Sequence, residues 1–266
     1  MTPEERALLD AVIAEPHRDE PRLAYSKWLE QQSPPDLRGE FIRLAVRYAR
    51  DTLAAQADLK AKQALLEDRA RFAELRQDHE GEWQLPVLQI ASSCELERGL
   101  VASVTLPAET FLARGEELMQ LAPIVHVALT AVRGLVPQLA ACPALGNVRA
   151  LSLAGQGLTG RDMAVLGASD KVSKLWWLDL VTNDIDLNGI RAMARAPYFA
   201  SLRHVELAGN PGDVHERAGT EGYVVSRVWF PPEGRELEEE LGYIPWLHYH
   251  PATFSNFPPD PCGPPP

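Results

Sequence analysis

The sequence predicts a mixed α/β chain, an α/β solenoid of about five strand–helix repeats preceded by an N-terminal helical module. Three observations carry this expectation. Apolar residues between Val148 and Asn210 recur at a 27-residue period. The first third instead shows helical spacing cut by prolines. The length, 266 residues, suits one large domain or two modest ones and can bury a real core. The division expected is 1–84 for the helical module, 85–250 for the repeats with a C-terminal cap, and 251–266 for a Pro-rich flexible tail.

The N-terminal helices follow from local signals. Thr2 can cap, Pro3 sits where its missing N–H costs nothing, and Glu5 can close a capping box. Leu8, Leu9, Val12 and Ile13 give the apolar stripe, and Pro16 ends it. A second helix opens at Pro21 and buries Leu23, Trp28 and Leu29 before Ser33-Pro34-Pro35. A third starts near Asp36 and carries Phe41, Ile42, Leu44, Ala45 and Tyr48. A fourth is expected from about Asp58 to His79, with Leu59, Leu65, Leu66, Phe72 and Leu75 inward. Short connections make these a small bundle or layer. Arg22, Glu30, Arg38 and Glu40 are read as ion pairs tying the second helix to the third, with the turn capped at Gly39.

The repeats rest on the stretch LWWLDLVTNDIDLNGIRAM, Leu175 to Met193. Shifted back by 27 residues, Val148, Leu151, Leu153, Gln156 and Leu158 replace Leu175, Leu178, Leu180, Asn183 and Ile185. Shifted forward, Leu202, Val205, Leu207 and Asn210 do the same, and only Gly212 breaks the pattern. Met163 and Leu166 likewise correspond to Ile190 and Met193. The spacing is L-x-x-L-x-L-x-x-N-x-L, that of leucine-rich repeats. Leu178 and Leu180 lie two apart because they share one face of a short strand. Asn183 is expected to turn inward and give its amide to backbone groups that no ladder satisfies. Two degenerate units precede these, with Val127 and Leu129 standing 24 before Leu151 and Leu153, and Val104 and Leu106 a further 23 before. At the far end GYVVSRVWF reads as a strand and PEGRELEEELG as a short capping helix.

The segment Pro21 to Leu44, PRLAYSKWLEQQSPPDLRGEFIRL, resembles the signature of the bacterial repeat-companion domain, a helical module found ahead of leucine-rich repeats. Pro21, Arg22, Leu23, Tyr25, Trp28, Leu29 and Glu30, then Arg38 to Leu44, match its pattern. Ser26 and Lys27 depart from the Ala-Asp usual before the Trp. Glu97 to Pro107 and Gly242 to His248 are shorter stretches similar to the same family. The resemblance implies a repeat-bearing protein, with repeats of the ribonuclease-inhibitor-like type and no settled enzymatic activity.

Little else points to chemistry. The net charge of −11 opposes binding to nucleic acid. The N-terminus lacks the apolar core of a secretory leader, and no apolar run is long enough to span a membrane, so a cytoplasmic location is expected. Cys94, Cys142 and Cys262 make neither a disulfide framework nor a zinc pattern. His248 and His250, with Asp213 and His215, could be imagined as a metal site, but no motif places a third ligand, and an aromatic C-terminal cap of Tyr243, Trp246, Leu247 and Tyr249 is expected instead. No metal, cofactor or catalytic residue is therefore expected.

The functional expectation is a non-catalytic protein–protein interaction module, an adaptor or scaffold. Alternation along the strands places Ala150, Trp177 and His204 in one outward row and Ser152, Asp179 and Glu206 in the next. Ala154, Val181 and Ala208 lie beside them. The candidate partner-binding residues are Trp177, Asp179, Val181, His204, Glu206 and Ser152. An exposed Trp177 beside two stacked carboxylates would suit a protein partner with a basic patch. Two alternatives stand: an enzyme or enzyme subunit with chemistry near His248 and His250, and a structural subunit docking through the helical module.

Overall fold

The protein is seen in a computed structural model that describes residues 1–54, 59–214, 217–221 and 224–248. His215, His250 and the segment 251–266 lie outside the described residues. The chain divides into two compact units. The first is Met1–Val104 with Glu117–Ile124, and the second is Thr105–Glu116 with the described residues from Val125 onward.

Helices α1 (Pro3–Ala14), α2 (Asp19–Glu30), α3 (Leu37–Ala54) and α4 (Leu59–Leu88) form most of the first unit. The capping box is made as the sequence implies. Thr2 Oγ1 accepts from the Glu5 N–H at 3.1 Å, and the Glu5 carboxylate accepts from the Thr2 N–H at 3.3 Å. Leu9, Val12, Tyr25, Leu29, Ile42 and Val46 make one apolar cluster, and Phe41, Leu44 and Leu75 a second. Gly39 is not a turn cap. It lies inside α3, where an added Cβ would stand 2.6 Å from the Ser26 carbonyl oxygen. The Ser26 hydroxyl donates to the Gly39 carbonyl at 2.7 Å, so this glycine lets α2 and α3 touch.

The charged residues tie helices together. Glu30 accepts from Arg43 at 2.9 Å between α2 and α3, and Glu40 takes both arms of Arg71 at 3.1 and 2.9 Å between α3 and α4. The Glu40 carboxyl is held below its usual range by the Arg71 hydrogen bonds. Arg22 is fully buried and donates to the Pro16 carbonyl at 2.9 Å, while Asp36 accepts from the Arg38 N–H at 2.8 Å. Helix α4 runs beyond the expected end at His79 and passes through Pro86. Tertiary packing overrides the break: Trp83 lies 4.7 Å from Phe41, and Val87 is buried. Leu66, expected inward, is 57% exposed, whereas Leu75 is 1% exposed. Leu59 and Leu65 fall outside the described side chains.

Strands β1 (Ser93–Glu97) and β2 (Leu100–Pro107) follow. The two residues joining them, Arg98 and Gly99, are left-handed, with φ of 46° and 83°. That is the conformation a tight two-residue hairpin requires. Gly99 also leaves no room for a side chain, since a Cβ there would meet Ile42 Cα at 2.5 Å.

The remaining elements alternate. They are α5 (Ala108–Leu121), β3 (His126–Thr130), α6 (Val136–Ala141), β4 (Ala150–Ser152), α7 (Gly160–Gly167), β5 (Trp177–Asp179), α8 (Leu187–Arg195) and β6 (His204–Glu206). Then come β7 (Arg217–Glu221), β8 (Val224–Trp229) and α9 (Pro232–Leu241). Among the described residues the fold is mixed α/β. It has nine α-helices, an open six-stranded sheet in the order β1-β2-β3-β4-β5-β6, and an antiparallel β7–β8 ribbon.

The pairs β3–β4, β4–β5 and β5–β6 are parallel, with Val127 opposite Leu151, Leu151 opposite Leu178, and Leu178 opposite Val205. Those pairings step by 24, 27 and 27 residues, the spacings read from the sequence. The helices keep 27 throughout. Val136, Met163 and Ile190 are buried in one column, and Leu139, Leu166 and Met193 in another. The three residues missing from the first step are therefore lost between strand and helix. A further buried column, Leu145, Val172 and Phe199, belongs to short 3-10 turns that the sequence reading did not separate.

Each strand ends in the same backbone device. Ala131, Gly155, Thr182 and Gly209 are all left-handed, at φ 54°, 68°, 55° and 79°. The next residue in three of them supplies an amide. Asn183 Oδ1 accepts from the Gln156 and Leu158 N–H groups at 3.0 and 2.9 Å, and its Nδ2 donates to the Leu153 and Leu180 carbonyls at 3.0 and 2.9 Å. Asn210 repeats this toward Ile185, Leu180 and Leu207 at 3.1, 2.7 and 3.0 Å. Gln156 accepts from the Val132 N–H at 3.1 Å and donates to the Ala154 carbonyl at 2.9 Å.

Helices α7 and α8 meet through glycine. A Cβ at Gly189 would stand 2.7 Å from Gly160 Cα and 2.8 Å from Ile185 Cγ2. Gly189→Ala should therefore cost about 1–3 kcal/mol in urea denaturation, because a backbone must move. Gly146→Ala, whose nearest neighbour would be 3.8 Å away, serves as the control. Equal stabilities for the two variants would refute the close approach.

Candidate functional site

The candidate site is the face of strands β3–β6 opposite the buried Val127, Leu151, Leu178 and Val205. The register sets its rows directly. His126, Ala150, Trp177 and His204 align in one row, and Ala128, Ser152, Asp179 and Glu206 in the next. Thr130, Ala154, Val181 and Ala208 follow two residues on.

The first row differs from the expectation. Trp177 is 2% exposed rather than open to solvent. Its indole meets the edge of His126 at 5.6 Å and stacks on His204 at 6.1 Å. His126 stands two strands from Trp177 with only Ala150 between, so the ring lies across the space that the small Ala150 side chain leaves. Ala150 and Trp177 share one buried cluster with Trp176.

The second row brings the two predicted acids together, and each is held by a neighbouring group. Asp179 Oδ2 accepts from the Ser152 hydroxyl at 2.7 Å, and Oδ1 accepts from the Val181 N–H at 3.0 Å. Glu206 Oε1 lies 2.7 Å from His204 Nε2. Like charges at strand spacing are tolerated because each carboxylate is already engaged by a local partner. Ser152, Asp179, Val181, His204 and Glu206 all remain half-buried, and Ala208 is exposed. Five of the six candidate residues therefore reach the surface, and Trp177 does not. His126, which the sequence reading left out, belongs to the same row. The 24-residue step that placed Val127 opposite Leu151 also placed His126 opposite Ala150.

Other candidates resolve differently. His248 Nε2 lies 2.9 Å from Glu238 Oε1, and its ring stacks on Tyr243 at 4.7 Å. Among the described residues no group of three or more His, Cys, Asp or Glu side chains could hold a metal ion. The Cys94 thiol is pushed up to about 11 by burial, with Glu80 and Glu95 adding to it. That environment disfavours the thiolate a nucleophile needs. Cys142 is buried, and Cys262 lies outside the described residues. Among the described residues no helix is long and apolar enough to cross a membrane. Comparison with known proteins finds no matching family model, curated relative or solved structure.

His126 gives the site a pH dependence. Burial lowers its imidazole from the ordinary 6.5 to about 4. The unfolded chain takes up a proton near 6.5 that the folded chain refuses until about 4, so stability falls as pH drops through that window. The full loss amounts to about 3 kcal/mol. Denaturant titrations between pH 7 and pH 4 should show His126→Phe losing less stability than the parent by about that amount. Parallel pH profiles for the two proteins would contradict the buried neutral imidazole.

Proposed function

We propose that this chain is a leucine-rich-repeat solenoid with a repeat-companion helical module, and that it acts as a non-catalytic protein-interaction module. The 27-residue strand register, the amide-filled turns and the stacked strand–helix units support the repeat assignment. The partner docks on the row Ser152–Asp179–Glu206, with Val181 and Ala208 beside it.

One observation carries this reading. The carboxylates of Asp179 and Glu206 are held in place by Ser152, the Val181 N–H and His204 before any partner arrives. Neither the second row nor the third contains a lysine or arginine. Two pre-oriented acids in rows without lysine or arginine suit a partner presenting Lys or Arg. The small side chains of Ala128, Ser152 and Ala154 leave room for a protruding segment on the neighbouring strands. The overall charge of −11 favours the same class of partner and disfavours nucleic acid.

The test places a photo-reactive side chain at Val181 and, in a control, at the exposed Val165 of α7. Illumination in the native host should give a discrete cross-linked protein from position 181 and not from 165. Asp179→Lys combined with Glu206→Lys should abolish that product while leaving the unfolding transition in place, and added salt should weaken it. Equal products from both positions, or a product indifferent to charge reversal, would rule out this face.

A further inference from the structure

The row His126–Ala150–Trp177 stands on the outward face of the sheet, yet it is sealed from water. His126 is 4% exposed, Ala150 0% and Trp177 2%, whereas Ser152, Asp179 and Glu206 in the next row are half-buried. The rings of His126 and His204 flank Trp177 on its two sides. Such neighbours screen the edges of a ring on a sheet, and an element lying across the strands closes its outward side. The row also adjoins an unanswered donor. Trp176 packs with Ala150 and Trp177 and is 5% exposed, and its indole N–H has no hydrogen-bond partner among the described residues. A buried donor left so costs about 1–3 kcal/mol, which favours any acceptor brought to it.

Aromatic rings beside an indole donor are what a proline-rich chain recognises. In the polyproline conformation such a chain makes no internal hydrogen bonds, so its carbonyls can accept while its prolines pack on rings. This protein carries such a stretch in residues 249–266, YHPATFSNFPPDPCGPPP. Pro258, Pro261 and Pro264 recur at every third residue, which would set them on one side of a polyproline helix. The stretch has Phe254 and Phe257, a single acid in Asp260, and no lysine or arginine. That composition suits the aromatic row and not the acidic row beside it.

Starting point and reach agree with this. The 3-10 turn Pro245–Leu247 packs against β6, so the chain leaves His248 beside the last strand of the sheet. Neighbouring strands lie about 4.8 Å apart, which puts β3 about 14 Å from β6 across the row. Phe254 can stand up to about 20 Å from His248. It can therefore reach His126.

We propose that the segment 249–266 docks back over the first row of its own chain as a strap. Phe254 covers His126 and Trp177, and a carbonyl of the strap accepts from the Trp176 indole N–H. The strap lies beside the row Ser152–Asp179–Glu206 and leaves it open. The inference thus stands whether or not that row takes a basic partner.

A photo-reactive aromatic side chain in place of Phe254, in the full chain, tests this. Illumination at nanomolar concentration should give a product within one chain, mapping to the peptides that carry His126, Ala150 or Trp177. In a second measurement, Phe254→Ala combined with Phe257→Ala should speed exchange of the Trp176 indole N–H by about tenfold or more. Amide protection at Leu158 should not change, which shows that the repeats stay folded. A product that joins two chains and disappears on dilution makes a second copy the occupant and overturns the proposal. So does a product scattered over the surface, no product at all, or a Trp176 indole that exchanges at the parent's rate in the double variant.

Discussion

The arrangement of the second unit depends on the side-chain amides of Asn183 and Asn210. A parallel strand of three residues that leaves the sheet at once strands backbone N–H and carbonyl groups in a turn away from water. Each such buried group left unpaired costs about 1–3 kcal/mol. A carboxamide placed at the bend answers them, because it has an acceptor and two donors on one short arm. Asn183 reaches Gln156 and Leu158 in the preceding turn and Leu180 in its own, so one side chain satisfies its turn and joins it to the one before. The adjoining left-handed residue aims the amide inward. That is why Thr182 accepts a conformation that β-branched residues avoid, and why Gly155 and Gly209 stand at the same place in the neighbouring turns.

Once the turns are set, the strands align at a fixed register, and the face they present follows. Leu151, Leu178 and Val205 are committed to the interior, so Ser152, Asp179 and Glu206 must form a row on the other side. Their chemistry is then local. Ser152 and the Val181 N–H hold Asp179, and His204 holds Glu206. Trp177 packs with Ala150 and against His126, and is buried rather than an exposed anchor. The row is consequently pre-organised.

Much of this was legible in the sequence because it is periodic. The registers of 24 and 27 residues, the inward leucines and the inward asparagine all follow from comparing the chain with itself. What was not legible depends on single contacts. Alternation alone puts Trp177 outward, and its contacts with His126, Ala150 and His204 cannot be read from spacing. Gly39 reads as a turn residue, yet it is needed for the contact between α2 and α3. Pro86 signals the end of a helix, and the burial of Trp83 and Val87 carries α4 past it. The turn between β1 and β2 had a signal, Arg98-Gly99 ahead of the apolar run from Leu100, that a helix-to-repeat reading passes over.

The central claim is that the asparagine amide, and not the surrounding leucine packing, holds consecutive units in register. Asn183→Leu tests it most directly, because it keeps the volume and apolar contacts while removing both donors and the acceptor. Chemical denaturation combined with amide hydrogen exchange at Gln156 and Leu158 should be measured on this variant and the parent. The account predicts a loss of about 3 kcal/mol or more, with exchange protection falling at Leu158 before it falls in Leu151 of the neighbouring strand. Stability within about 0.5 kcal/mol of the parent, with Leu158 still protected, would contradict it.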